Sequence, residues 1–169
     1  MEKKITTHIT KGLILALVLI VIDVVATVTG IKYENWFRWL PTLLFCVAII
    51  WACINYANQM DNNVTFGNVF VHGFKVSTVI ACIMVLYVIL SIFVLFPEQV
   101  DKAMEVARKQ MEEKNVPDAN IEQGIALGKK LFVPFAIGGA ALGSVIVGAI
   151  ASVIGGAMAK KNPQTPFQQ

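Results

Sequence analysis

Four stretches of this chain run for about a membrane's thickness with almost no charge, and no other feature limits its fold as strongly. About 20 residues at 1.5 Å each cross a hydrocarbon core of ~30 Å, and inside that core backbone groups must be satisfied within the segment itself. Residues 12–30, GLILALVLIVIDVVATVTG, form the first such run. Residues 40–57, LPTLLFCVAIIWACINYA, form the second. The third covers 69–96, and the fourth, LFVPFAIGGAALGSVIVGAIASVIGGAMA, covers 131–159. The expected fold is an all-α integral membrane protein, one four-span domain over residues 1–169. Composition agrees, since 56% of the residues are hydrophobic and 15% charged, where an ordinary soluble domain carries about 25% charged residues.

The first run follows a short basic start, MEKKITTHITK, and so has to be weighed as a secretory signal. It is too long for a signal h-region, lacks a clear small-x-small cleavage site and is followed by further spans. The connectors divide the rest. IKYENWFRW mixes Tyr33, Trp36 and Trp39 with Lys32 and Arg38, the aromatic and basic texture of a membrane–water interface. NQMDNNV is polar and turn-forming, and Thr65 after it is positioned to cap a helix that Pro97 stops.

Residues 97–130 differ in kind, with six Lys/Arg and seven Asp/Glu. Val100, Met104, Ala107 and Met111 recur at helical spacing, as do Ile121 and Ile125, and Asn115-Val116-Pro117-Asp118 breaks the pattern. Two short amphipathic helices are expected, a hairpin outside the membrane whose apolar stripe rests on the bilayer or the bundle, or docks a partner. Residues 162–169 read as a disordered tail.

Two features mark the spans themselves. Ala140, Ser144, Gly148, Ser152 and Gly156 stand every four residues along the last span. Lipid offers helices no hydrophobic reason to associate, so small residues in one register signal close backbone packing. The partner is another span of this chain or a second copy. Asp23 lies in the middle of LVLIVIDVVATV. Centring an acid there costs about 3 kcal/mol, so it should face protein and find a partner. Lys75 is the candidate: with the first and third helices counted from one face, the two differ by about 6 Å in depth. The two readings of Asp23 are an ion- or proton-coupling site and a structural hydrogen bond. His72 and Lys75, just before the strictly apolar part of the third span, are expected to be interfacial anchors.

Catalytic patterns are missing: there is no HExxH, GxSxG or P-loop, and GIALGKK has one residue too few between its glycines to cradle phosphate. Cys46, Cys53 and Cys82 fall inside spans without ligand spacing and read as packing residues. Neither an enzyme nor a cofactor or metal is expected, and a net charge of +3 gives no nucleic-acid surface. The partners expected are the bilayer and either a second copy or another membrane protein. Lys3, Lys4 and Lys11 outweigh Lys32 and Arg38 around the first span, which favours cytoplasmic termini. The whole-chain count opposes this, with six basic residues inside and eight outside.

The order of these parts resembles the DUF4199 family over nearly the whole chain. The specific piece is VTFGNVFVHGFKVS, similar to the family's Ser/Thr-Phe-Gly-x-x-Phe start of the third span, here Thr65, Phe66, Gly67 and Phe70. The charged helical segment after Phe96 and a small-residue helix ending in lysines also match. The resemblance implies a small four-span protein of the bacterial inner membrane, chiefly from Bacteroidota, with no established function and no site residues to carry over. Members often carry several Lys/Arg in the second connector, whereas NQMDNNV has none, so the resemblance does not orient this chain.

Overall fold

The structure is a computed structural model, and it describes residues 6–162. All regular structure among the described residues is helical. The principal helices are α1 (His8–Thr29), α2 (Leu40–Gln59), α3 (Phe66–Leu90), α4 (Gln99–Glu113), α5 (Asp118–Gly138) and α6 (Ser144–Met158). Four helical segments are long and apolar enough to cross a bilayer: His8–Thr29, Phe37–Gln59, Phe66–Leu95 and Asp118–Met158. Their outer surfaces carry exposed large apolar side chains, among them Val28, Leu86, Phe93, Phe135 and Leu142. In water such a coat would drive aggregation, whereas lipid tails accept it.

Helix ends follow their sequence signals. Thr7 and Thr65 cap α1 and α3, the Thr65 hydroxyl accepting from the Asn68 amide at 3.3 Å. Pro41 stands in the first turn of α2, where a missing N–H costs nothing. Gly30 ends α1 at φ +78°, a left-handed conformation that lets the chain turn back on itself.

The pairwise packing fixes the direction of every span. His8 lies against His72 and Asp23 against Tyr87, so α1 and α3 run parallel. Gly148 meets Ser77 while Gly156 meets Phe66, so α6 runs antiparallel to α3. Phe45 lies near Gly148 and Cys53 near Gly155, so α2 runs with α6. The bundle is therefore up-down-up-down, and both described ends meet the α2–α3 connector. Thr6 bonds Gln59, and the Asn162 amide donates to the Asn62 carbonyl at 2.8 Å.

The small-residue stripe divides into two halves. Gly148, Ser152 and Gly156 are buried against α3 within this chain. A Cβ at Gly148 would stand 2.5 Å from the Ser77 Cβ, and one at Gly73 would overlap the Cys53 sulfur. Ser144 and Ala140, one and two turns before Gly148, line a cavity.

Three expectations need correction. Residues 118–130 do not form a separate short helix: Asp118–Met158 is continuous for 41 residues, with a π turn at Gly139–Gly143. Pro134 lies inside it and removes one N–H from the helical ladder, a defect that membrane helices tolerate more readily than soluble ones. α4 does fold back on α5 as a helical hairpin, but the second arm is the start of the last long apolar helix. Arg108 pairs with Glu122 and Lys129 with Asp101, each at 2.7 Å, while Met104 and Met111 lie over Gly128 and Gly124. His72, expected as an anchor, is buried and stacked on Tyr56 with ring centroids 4.1 Å apart. The cysteines also differ from one another, Cys53 buried, Cys46 half-buried and Cys82 exposed. The expected tail falls almost wholly outside the described residues.

Candidate functional site

Asp23 is the acid that the apolar run of α1 makes expensive, and the structure surrounds it with donors. Its Oδ2 accepts from the Lys32 ammonium at 2.9 Å and from the Tyr87 hydroxyl at 2.7 Å. Lys32 arrives there through the left-handed turn at Gly30. The turn folds Ile31–Tyr33 into a short 3-10 helix and points the lysine back down the helix that carries Asp23. Tyr87 comes from α3 and is itself buried. One carboxylate oxygen thus ties together α1, the first connector and α3.

Lys75 is not part of this pair. Asp23 stands level with Tyr87, which is twelve residues, or roughly 18 Å, further along α3 than Lys75. The depth comparison fails because α1 begins at His8, beside His72, so Asp23 sits deeper than a helix starting at residue 12 would place it. Lys75 lies at the opposite end of the bundle, in a pocket with His8, Tyr56 and His72.

Two cavities meet at Asp23. The larger, about 260 Å³, is lined by Leu19, Pro41, Phe45, Met84, Ala140 and Ser144 as well as Asp23. The smaller, about 190 Å³, is lined by Asp23, Lys32, Tyr87, Ser91, Gln99 and Phe132. Each cavity borders a π turn, Gly139–Gly143 for the larger and Ser91–Leu95 for the smaller. In the second, the buried Gln99 amide donates to the Ser91 hydroxyl at 3.2 Å and so joins the start of α4 to the end of α3. Tyr33 sits nearby with its hydroxyl buried and unpartnered. Burial, then the charges of Glu98 and Asp23, push that phenol's pKa up.

Chemically this is a satisfied ion pair with a phenol attached. Among the described residues no three His, Cys, Asp or Glu side chains are grouped to hold a metal. Sequence reasoning missed Lys32 and Tyr87 as partners. Lys32 reads as one more interfacial cation until Gly30 is seen to reverse the chain. Tyr87 offered a signal, as the single phenol within the apolar run of α3. The signature residues Thr65, Phe66, Gly67 and Phe70 lie at the other end of the bundle. There Phe66, Phe70 and Phe74 stack successively with centroids 6.3 and 6.0 Å apart.

Comparison with known proteins gives one match. The model of a family described as a protein of unknown function, DUF4199, matches residues 10–161. No curated protein and no solved structure matches.

Proposed function

The chain belongs to the DUF4199 family, and since that family's function is unknown we propose from geometry that it is a non-enzymatic membrane subunit presenting a helical hairpin to a partner. The continuity of Asp118–Met158 carries this reading. A helix of 41 residues is about 61 Å long, roughly twice a hydrocarbon core. The arm that bears Asp118, Glu122, Lys129 and Lys130 therefore lies outside the membrane while α6 is locked into the bundle by its glycines. Ion pairs and methionine packing hold α4 against that arm, giving a stiff, charged surface on a rigid stem. The membrane is the bacterial inner membrane, with the termini cytoplasmic and the hairpin on the far side. The common end of the bundle reached by Thr6 and Asn162, together with the basic residues around the start of α1, supports this orientation.

The test is purification from native membranes in mild detergent, comparing the natural chain with Glu112→Lys/Glu113→Lys, both exposed at the hairpin tip. A stoichiometric partner kept by the natural chain and lost by the variant supports the proposal. Identical, partner-free preparations of both would end it.

A second reading, favoured by the cavities that meet at Asp23 and the π turns beside them, is a small transporter or channel component coupling an ion or proton through Asp23. π turns recur at functional sites. A pH-dependent flux in proteoliposomes, abolished by Asp23→Asn, would establish it, and flux unchanged by that substitution would exclude it.

A further inference from the structure

The end of the bundle opposite Asp23 holds two lysines, Lys11 and Lys75, that make no ion pair with an acid among the described residues. Lys11 is 3% exposed, and its ammonium has no hydrogen-bond partner. It lies 6.0 Å from the centroid of Tyr56, whose other neighbour is His72, 8% exposed with an unpartnered Nε2. His8 meets His72 edge-on at 6.3 Å. In front of this cluster is a pocket of about 540 Å³, lined by Thr6, Thr7, His8, Tyr56, His72 and Lys75 and by the first turn of α3 at Gly67 and Asn68. Among the described residues no Asp or Glu lines it, and neither Lys11 nor Lys75 has an acidic partner.

A buried ammonium without a counter-charge is costly, and so is a buried ring nitrogen without a partner. The surroundings compound the need, because the first turns of α1 and α3 both open here. Helix N-termini carry unpaired N–H groups and partial positive charge, which together suit an anion. Lysine binds phosphate as a point charge, while Thr6, Thr7, Asn68 and the two histidines can supply hydrogen bonds.

We propose that this pocket binds a phosphate group, carried by an anionic lipid headgroup or by a soluble phosphorylated molecule. Lys75 and His8 meet it from the rim, His72 forms the floor, and Lys11 acts through its field from behind the Tyr56–His72 stack. The location suits either source, since the pocket opens where α1 and α3 begin.

The experiment uses the full-length chain in nanodiscs of phosphatidylcholine with and without phosphatidylglycerol, with retained lipid read by native mass spectrometry. A parallel arm titrates inorganic phosphate and reads the melting temperature in neutral discs. The natural chain should retain phosphatidylglycerol or be stabilised by phosphate, and Lys75→Gln should weaken that response about tenfold. Lys75 is exposed, so this variant keeps the fold, and His72→Gln adds the buried floor. Lys109→Gln, on the distant hairpin, should change nothing. Retention of the lipid without a phosphate effect assigns the headgroup, and the reverse assigns a soluble ligand. Equal responses from the natural chain and Lys75→Gln, or no response to either probe, would overturn the proposal.

Discussion

Tyr87 donates its hydroxyl to Asp23 across 64 positions of sequence, and this bond at 2.7 Å fixes the depth of α1 against α3. It also predicts an order among three variants. Asp23→Asn keeps an oxygen for Tyr87 and frees Lys32 to swing out to water, so its cost is small, under about 1 kcal/mol. Tyr87→Phe removes a hydrogen bond within the bundle, at about 1 kcal/mol. Asp23→Leu also leaves the buried Tyr87 phenol without an acceptor and costs more, about 1–3 kcal/mol. Reversible unfolding in mixed micelles measures all three, and an Asp23→Asn variant weaker than Asp23→Leu would refute the order.

The stripe on the last span should respond unevenly. Gly148→Leu meets the Ser77 side chain at once and is expected to cost about 1–3 kcal/mol, through overpacking against a helix that cannot yield. Ala140→Leu extends into the cavity beside Asp23 and should be neutral or stabilising by about 0.5 kcal/mol. Melting temperatures of the two purified variants decide this, and equal losses would mean that the stripe packs as one surface.

Acid should loosen the hairpin. The Glu105 carboxyl is held below its ordinary value of 4.5, first by the hydrogen bond from Lys109 and then by its charge. A depressed acid stabilises the fold above its unfolded pKa, and the contribution is lost as pH falls through the folded one. The same bond raises Lys109, but that group titrates in alkali and leaves the acid limb unchanged. Protection of amides in residues 99–130 from hydrogen exchange, corrected for the pH dependence of the intrinsic rate, should therefore fall below pH 4.5. Glu105→Gln should remove part of that dependence, an effect kept small by full exposure of the pair.

The glycine at the end of α1 supplies a sharper test of the latch. Gly30 sits at φ +78°, so Gly30→Ala strains the turn that returns Lys32 to Asp23. The expected cost is about 1 kcal/mol. In the Asp23→Leu background, which has no ion pair to lose, the same substitution should cost less. A double-mutant cycle measures the difference, and strict additivity would mean that the turn and the latch are independent.

The spans were legible because lipid imposes one rule on every residue it touches, and runs of uncharged side chains record that rule locally. The Thr65 cap and the close packing of Gly148 were legible for the same reason, as each depends on a short register. Asp23 announced its need for a partner, but the partner depended on where α1 begins and on the backbone angle at Gly30. Neither leaves a periodic trace. The burial of Lys11 and His72 was hidden similarly, because a cation near a helix start reads as an interfacial residue until a neighbouring helix is seen to cover it. The hairpin's composition pointed to its existence, while continuity of its second arm with the last span depended on residues 128–131, where charge and apolar character meet without a break signal.

Photo-crosslinking in native membranes from Lys109 and Glu113, both exposed on α4, tests the central claim most directly, with Leu86 on the apolar face of α3 as the reference. A hairpin that stands clear of the bilayer and meets a partner predicts one discrete protein adduct from the two hairpin positions and only lipid adducts from Leu86. Lipid adducts alone from all three positions would place the hairpin on the membrane surface and contradict the account.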